Sequence, residues 1–409
     1  MSDIEEFVFD EPLFNTHDHQ EGFSQDWDGK RFDDFLGYAT ADLNTARVLL
    51  DGKAGKGIFD VWPYVRTTGY GQAVELAVKT LFNRDFSASQ ADAITRAMQA
   101  LIRDRSPESI YAELSDRVNV QWTVNDGGGD NITPLAYFSG DNFPQSFKCA
   151  LRYGRGQLLT ATSESRIQDL EKTMGWSISG LKHLDRLMDE HTERVKATGN
   201  LAAIKIALAY ARTLDFEDTP FTDADRIFTA ILKGEEVEAR PLHDYLVHRI
   251  FERAEAFDLP VQIHTGYLAG NWGDFRWGDP APLIPVFQKY RNVRFDLFHA
   301  AWPYSEFMGA VGSAFPNVWI DLCWAWSMNP VQMERILDEW LSCVPSNKIL
   351  GFGADTRSPF PVVGYAEQAR HGIANVLKKK IDTGEYDLDT AQFVARRIMH
   401  ENARELFRM

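Results

Sequence analysis

Short apolar runs alternate with longer amphipathic segments along most of this chain, and that alternation admits few folds. The runs Leu13–His17, Val118–Val124, Phe147–Arg152, Leu201–Leu208, Pro260–His264, Val293–His299, Val318–Leu322 and Lys348–Gly353 are apolar or β-branched and short enough for strands. Between them lie segments of helical spacing, among them Ser165–Met174, Ala239–Phe257, Pro280–Tyr290, Ser305–Ala314 and Val331–Ser342. Each is long enough to carry the chain across a sheet and return it parallel. Eight such strands alternating with helices predict an α/β fold, a (β/α)8 TIM barrel, with its chemistry at the C-terminal ends of the strands.

The stretch between His19 and Val118 is too long for one β-α unit. Phe32–Leu50, Gly71–Asn83 and Ser89–Arg103 have helical spacing. Residues 20–117 are therefore expected to form a mostly helical insertion after strand one, capping the barrel mouth, with 1–19 and 118–409 as the barrel. The break Asp51-Gly52-Lys53-Ala54-Gly55-Lys56-Gly57 mixes Gly and Lys as phosphate loops do. It follows a helical pattern rather than a strand and lacks the closing Lys-Ser/Thr, so it reads as a plain loop. From Gly364 to Met409 the pattern predicts a helical tail over the barrel exterior.

Composition excludes several partners. A formal net charge of −16 disfavours nucleic acid and anionic membrane surfaces alike. No apolar run approaches the roughly 20 residues of a membrane span, and the acidic start MSDIEEFVFDEP is unlike a secretory signal, so a cytoplasmic location is expected. Cys149, Cys323 and Cys343 lack a C-x-x-C spacing and are expected to be buried, reduced and structural. Homo-oligomer formation is left open.

Polar residues interrupt or end the apolar runs. His17 and His19 stand one residue apart at the end of strand one, so both imidazoles can face one ion. Lys205 lies inside an almost wholly apolar run, His264 and His299 end strands five and six, and Asp355 follows strand eight. A buried ionisable group without a partner costs on the order of several kcal/mol, so these residues should pair or bind a cation. Taken singly, a strand-end histidine is more often a core residue, Lys205 can snorkel at a rim, and Asp355 can cap a turn. His183, His191, His243, His248, His371 and His400 lie in helical or polar context and are read as structural. The joint placement of the other six at one face points to function.

On these six residues, in this order, the chain resembles the amidohydrolase superfamily of metal-dependent barrels, from Leu13 to about Asp355. Gln262-Ile263-His264-Thr265-Gly266 and His299-Ala300-Ala301-Trp302-Pro303-Tyr304 resemble the branch containing the amidohydrolase half of fungal glutamine-synthetase-like fusion proteins, and the long insertion resembles that of uronate isomerases. The resemblance implies a hydrolase with one or two divalent ions, Zn²⁺ by ligand type, held by His17, His19, Lys205, His264, His299 and Asp355. Asp355 would move the proton between an activated water and the leaving group. Lys205 would either bridge two ions as a carboxylated amine or, unmodified, meet an anionic substrate or activate a carbonyl.

Arg152, Arg357 and Arg66 are candidate forks for an acidic small molecule, and Trp302 and Tyr304 candidate pocket walls because they closely follow His299. An amide or lactone hydrolase is the leading expectation. A sugar-acid isomerase, a nonoxidative decarboxylase and a noncatalytic metal-binding barrel are the alternatives.

Overall fold

The computed structural model describes residues 2–20, 27, 29–48, 50, 57–127, 132–138, 144–153 and 163–409. Eight parallel strands follow one another in chain order: β1 Leu13–Asp18, β2 Val120–Asp126, β3 Phe147–Arg152, β4 Leu201–Ile206, β5 Val261–Ile263, β6 Phe295–Leu297, β7 Val318–Asp321 and β8 Ile349–Leu350. The sheet curls into a barrel. Past the end of β8 the chain meets β1 through Thr16 N–H to Phe352 O (3.0 Å), Asp355 N–H to His17 O (2.9 Å) and His19 N–H to Thr356 O (3.1 Å). That approach requires glycine at 353, where a Cβ would lie 2.5 Å from Cys323 Sγ and 2.6 Å from Thr16 Oγ1.

The strands sit where the apolar runs place them, with shifted ends. β2 continues two residues beyond Val124, while β5, β6 and β8 stop short because the chain leaves the ladder to deliver its polar residues. Register pairs Arg152 with Lys205, Lys205 with Gln262 and Gln262 with Asp296. Cross-strand partners share a face, so this register lays a polar belt through β3 to β6.

Phe32–Leu50 is not one helix: a 3-10 turn at Phe32–Phe35 precedes the helix Ala39–Val48. The helices Ile58–Val65, Gly69–Phe82, Ala91–Ile102 and Pro107–Arg117 follow before β2. Most of the glycine-rich break, residues 51–56, lies outside the described residues.

The tail requires a correction. Its final helix, Asn402–Phe407, lies beneath the barrel floor rather than over its side. Phe407 stacks on Phe14 at 5.5 Å, and both belong to a cluster with Val124, Ala150, Ala203 and Leu350. Asn402 Nδ2 donates to Ile349 O at 2.7 Å, fixing this helix to the start of β8. Cys343 is a second correction: it is exposed, whereas Cys149 and Cys323 are buried, and all three are free thiols. No helix among the described residues is long and apolar enough to cross a membrane.

Candidate metal centre

At the end of β1 the strand period turns both imidazoles inward, and His17 Nε2 and His19 Nε2 lie 3.3 Å apart. Their other ring nitrogens face acceptors: His17 Nδ1 is 3.3 Å from Gln262 Oε1 and His19 Nδ1 is 3.1 Å from Asp126 O. An oxygen acceptor there requires the proton on Nδ1, which leaves both Nε2 atoms as lone pairs pointed at one another. Asp355 Oδ1 stands 3.1 Å from His19 Nε2 and 4.0 Å from His17 Nε2. This oxygen is buried with no hydrogen-bond partner among the described residues. Three electron-rich atoms facing one another is an arrangement that a cation resolves, so these residues fit a divalent ion.

A second group shares the same carboxylate. His299 Nε2 is 3.5 Å from Asp355 Oδ2 and 3.0 Å from His264 Nδ1. His299 Nδ1 donates to Cys323 O at 2.9 Å and His264 Nε2 to Tyr267 O at 2.8 Å, so again the facing nitrogens are lone pairs. The Cys323 Sγ atom also lies within reach of His299 and Asp355. Burial pushes its thiol well above 9.0 and keeps it protonated, making His264 the better partner.

The electrostatics agree. Burial first, then the neighbouring Lys205, holds His17 well below 6.5. Burial and His299 do the same to His264, and burial brings His299 to about 4. All three are neutral imidazoles at neutral pH, the form that binds metal. Burial would raise the Asp355 carboxyl, and a hydrogen bond and positive charge on the His19, His17 and His299 side, carried by a shared proton or a bound cation, bring it well below 3.8. Backbone φ values of +47° at Asp355 and +65° at His299 mark strain at the two residues that share this centre.

Lys205 is 2% exposed, with its amine 3.6 Å from the Phe298 ring centroid and no hydrogen bond to a described residue. Burial lowers it from 10.5 to about 8, only partly opposed by Asp355 and Asp126. Lys205, His19, His264 and Asp355 open into a cavity of about 390 Å³ that Arg152 and Arg357 also line.

The remaining candidates, Arg66, Trp302 and Tyr304, lie elsewhere. Arg66 is on the exterior, paired with Glu75 at 2.9 Å. Trp302 packs on Tyr267 with ring centroids 5.1 Å apart, and neither it nor Tyr304 lines the cavity. Tyr38, Asn44, Tyr210 and Asn271 line it instead. Arg152 grips Asp126 through Nε (3.1 and 2.9 Å) and Nη2 (2.5 Å). Burial would raise Asp126, and Arg152 keeps it ionised below 3.8.

Comparison with known proteins agrees with this architecture. The family profile described as Amidohydrolase matches residues 220–409, which carry β5 to β8 and the C-terminal helices. Protein fluG of Emericella nidulans is 28% identical over 225 residues, covering 51% of this chain and 26% of that protein. The match thus spans about a quarter of the length of that relative. Two solved structures superpose on nearly the whole chain. A candidate metal-dependent hydrolase from Lactobacillus casei ATCC 334 has TM-score 0.69 at 18% identity, covering 100% of this chain and 98% of its own. Uronate isomerase from Thermotoga maritima has TM-score 0.78 at 14% identity, covering 99% and 96%. At these identities the likeness is one of fold.

Proposed function

We propose that this chain, whose residues 220–409 match the Amidohydrolase family profile, is an amidohydrolase-superfamily enzyme, a metal-dependent hydrolase acting on a C–N or C–O bond, amide or lactone, of a small carboxylate-bearing substrate. The observation that carries this reading is the convergence of three lone-pair atoms, His17 Nε2, His19 Nε2 and Asp355 Oδ1, on one point at the cavity floor. A divalent ion bound there, Zn²⁺ by its donor set, supplies Lewis-acid activation of water and of the scissile group. Asp355, held ionised, accepts the proton of the attacking water at an oxygen and returns it to the leaving atom. His264 and His299 present neutral lone pairs from the other side, for a second ion or for substrate hydroxyls and amides.

Lys205 supports two roles. An amine near 8 is about one-tenth neutral at pH 7, and that form would add carbon dioxide, releasing one proton, to give an anionic carbamate able to hold a cation. As an ammonium it joins Arg357 in attracting a substrate carboxylate into the cavity.

A sugar-acid isomerase is the second reading, favoured by the whole-chain likeness to a uronate isomerase. Metal-loaded protein incubated with acyl amino acids, lactones and uronates separates the two. Metal-dependent release of an acid or amine supports hydrolysis, and aldose–ketose interconversion without release supports the isomerase. Equal rates before and after chelation would remove both.

A further inference from the structure

Among the described residues Gln262 is the one buried side-chain amide hydrogen-bonded to a metal-facing histidine, and neither reading of the reaction gives it a role. It lies on β5 two residues before His264, so both side chains enter the barrel from the same strand face. Its side chain is 0% exposed. Gln262 Nε2 donates to Thr16 O at 2.9 Å and to Asp296 Oδ2 at 3.0 Å, using both amide hydrogens on acceptors. Gln262 Oε1 is left facing His17 Nδ1 at 3.3 Å. Turning the amide over would set its oxygen against a backbone carbonyl and a carboxylate oxygen. Buried acceptors facing each other cost on the order of 1–3 kcal/mol, so the orientation is decided by Thr16 and Asp296 rather than by His17.

A fixed acceptor at that place selects one tautomer of His17. The neutral histidine side chain free in water favours the proton on Nε2, which would put a hydrogen where the cation is to bind. We infer that Gln262 is a positioning residue that imposes the Nδ1–H tautomer on His17 and so keeps its Nε2 lone pair directed at the metal point. Thr16 and Asp296 orient Gln262, Gln262 orients His17, and His17 presents its lone pair beside His19 and Asp355. The chain of contacts runs β6 to β5 to β1, through the belt that the strand register builds. The link to the ion rests on the proposed metal reading, while the tautomer claim stands without it.

The test uses the full-length protein labelled with ¹⁵N-histidine. Long-range ¹H–¹⁵N correlation on the metal-free form reads the tautomer, with His17 identified by the signal lost in His17→Ala. Wild type is expected to show Nδ1–H. Gln262→Leu should shift His17 toward Nε2–H and weaken Zn²⁺ binding, measured against a competing chelator, by about 10–100-fold. Gln262→Glu keeps an oxygen acceptor for His17 and, bound as the acid, supplies one donor for either Thr16 O or Asp296 Oδ2 in place of two. It should retain Nδ1–H and bind Zn²⁺ more tightly than Gln262→Leu does, and it serves as the deciding variant if Gln262→Leu fails to fold. Unchanged tautomer in Gln262→Leu, or loss of Nδ1–H in Gln262→Glu, overturns the inference. A wild type that shows Nδ1–H but takes up no Zn²⁺ would instead refute the metal reading and leave the tautomer claim standing.

Discussion

Arg152→Met should cost about 3–5 kcal/mol of stability, because it takes the guanidinium partner away from the buried Asp126 carboxylate. The figure follows from geometry. The guanidinium contacts both carboxylate oxygens, with side chains 7% and 0% exposed. Two charge-assisted hydrogen bonds at about 1.5–3 kcal/mol each reach the same range. The pH dependence has a definite sign. Asp126 is depressed below 3.8 in the folded protein, so its contribution is present above the unfolded carboxyl value of about 3.9 and is lost as pH falls through the folded value. Without Arg152, burial pushes Asp126 upward and the variant takes up its proton at higher pH. The stability gap to wild type is therefore widest near neutrality and narrows on acidification. Urea unfolding followed by tryptophan fluorescence at neutral pH and near pH 4.5 measures both. Removing the pair together, Arg152→Met with Asp126→Leu, should lose less than the single change, since no lone charge remains. A single-variant loss below about 1 kcal/mol, the level of a surface pair, or a gap that widens in acid, would refute this reasoning.

Three further outcomes follow from the same geometry. Relative to Lys205→Met, wild-type stability should rise between about pH 8 and 10.5, because burial depresses the folded-state amine and the unfolded chain binds the extra proton in that window; a flat difference in thermal midpoint would contradict it. Phe407→Ala opens the barrel floor against Phe14 and should cost about 3–5 kcal/mol, leaving bound metal per folded chain unchanged in elemental analysis. Arg66→Ala should shift stability by less than about 1 kcal/mol and leave KM alone, whereas Arg357→Ala should raise KM for acidic substrates over their uncharged analogues; equal KM effects would reverse the two assignments.

The barrel was legible because its strands are short, apolar and separated by helical patterns, and because a period of two places His17 and His19 on one face. Other parts of the site depend on distances that no local pattern carries. Asp126 was missed because the β-branched run ends at Val124, although the ladder continues through Asn125 and Asp126. The polar strand end before Gly127 was the available signal. Gln262 sits inside the motif that pointed to His264, but only the folded barrel brings β1 and Asp296 to its two ends. Proximity in sequence misled for Trp302 and Tyr304. The chain takes φ values of +65°, +50° and +45° at His299, Ala300 and Ala301, and this left-handed turn carries Trp302 onto Tyr267 instead of into the cavity. Tyr38, Asn44 and Asn271 come from segments with no chemical motif, and Asn271 reaches Thr45 Oγ1 at 3.0 Å only through tertiary packing.

Crystals grown with Zn²⁺ and measured on both sides of its absorption edge bear most closely on the metal assignment. An anomalous peak should lie between His17 Nε2, His19 Nε2 and Asp355 Oδ1, and should vanish in His17→Ala/His19→Ala. No peak there in wild type, or one that survives the double replacement, would contradict the assignment.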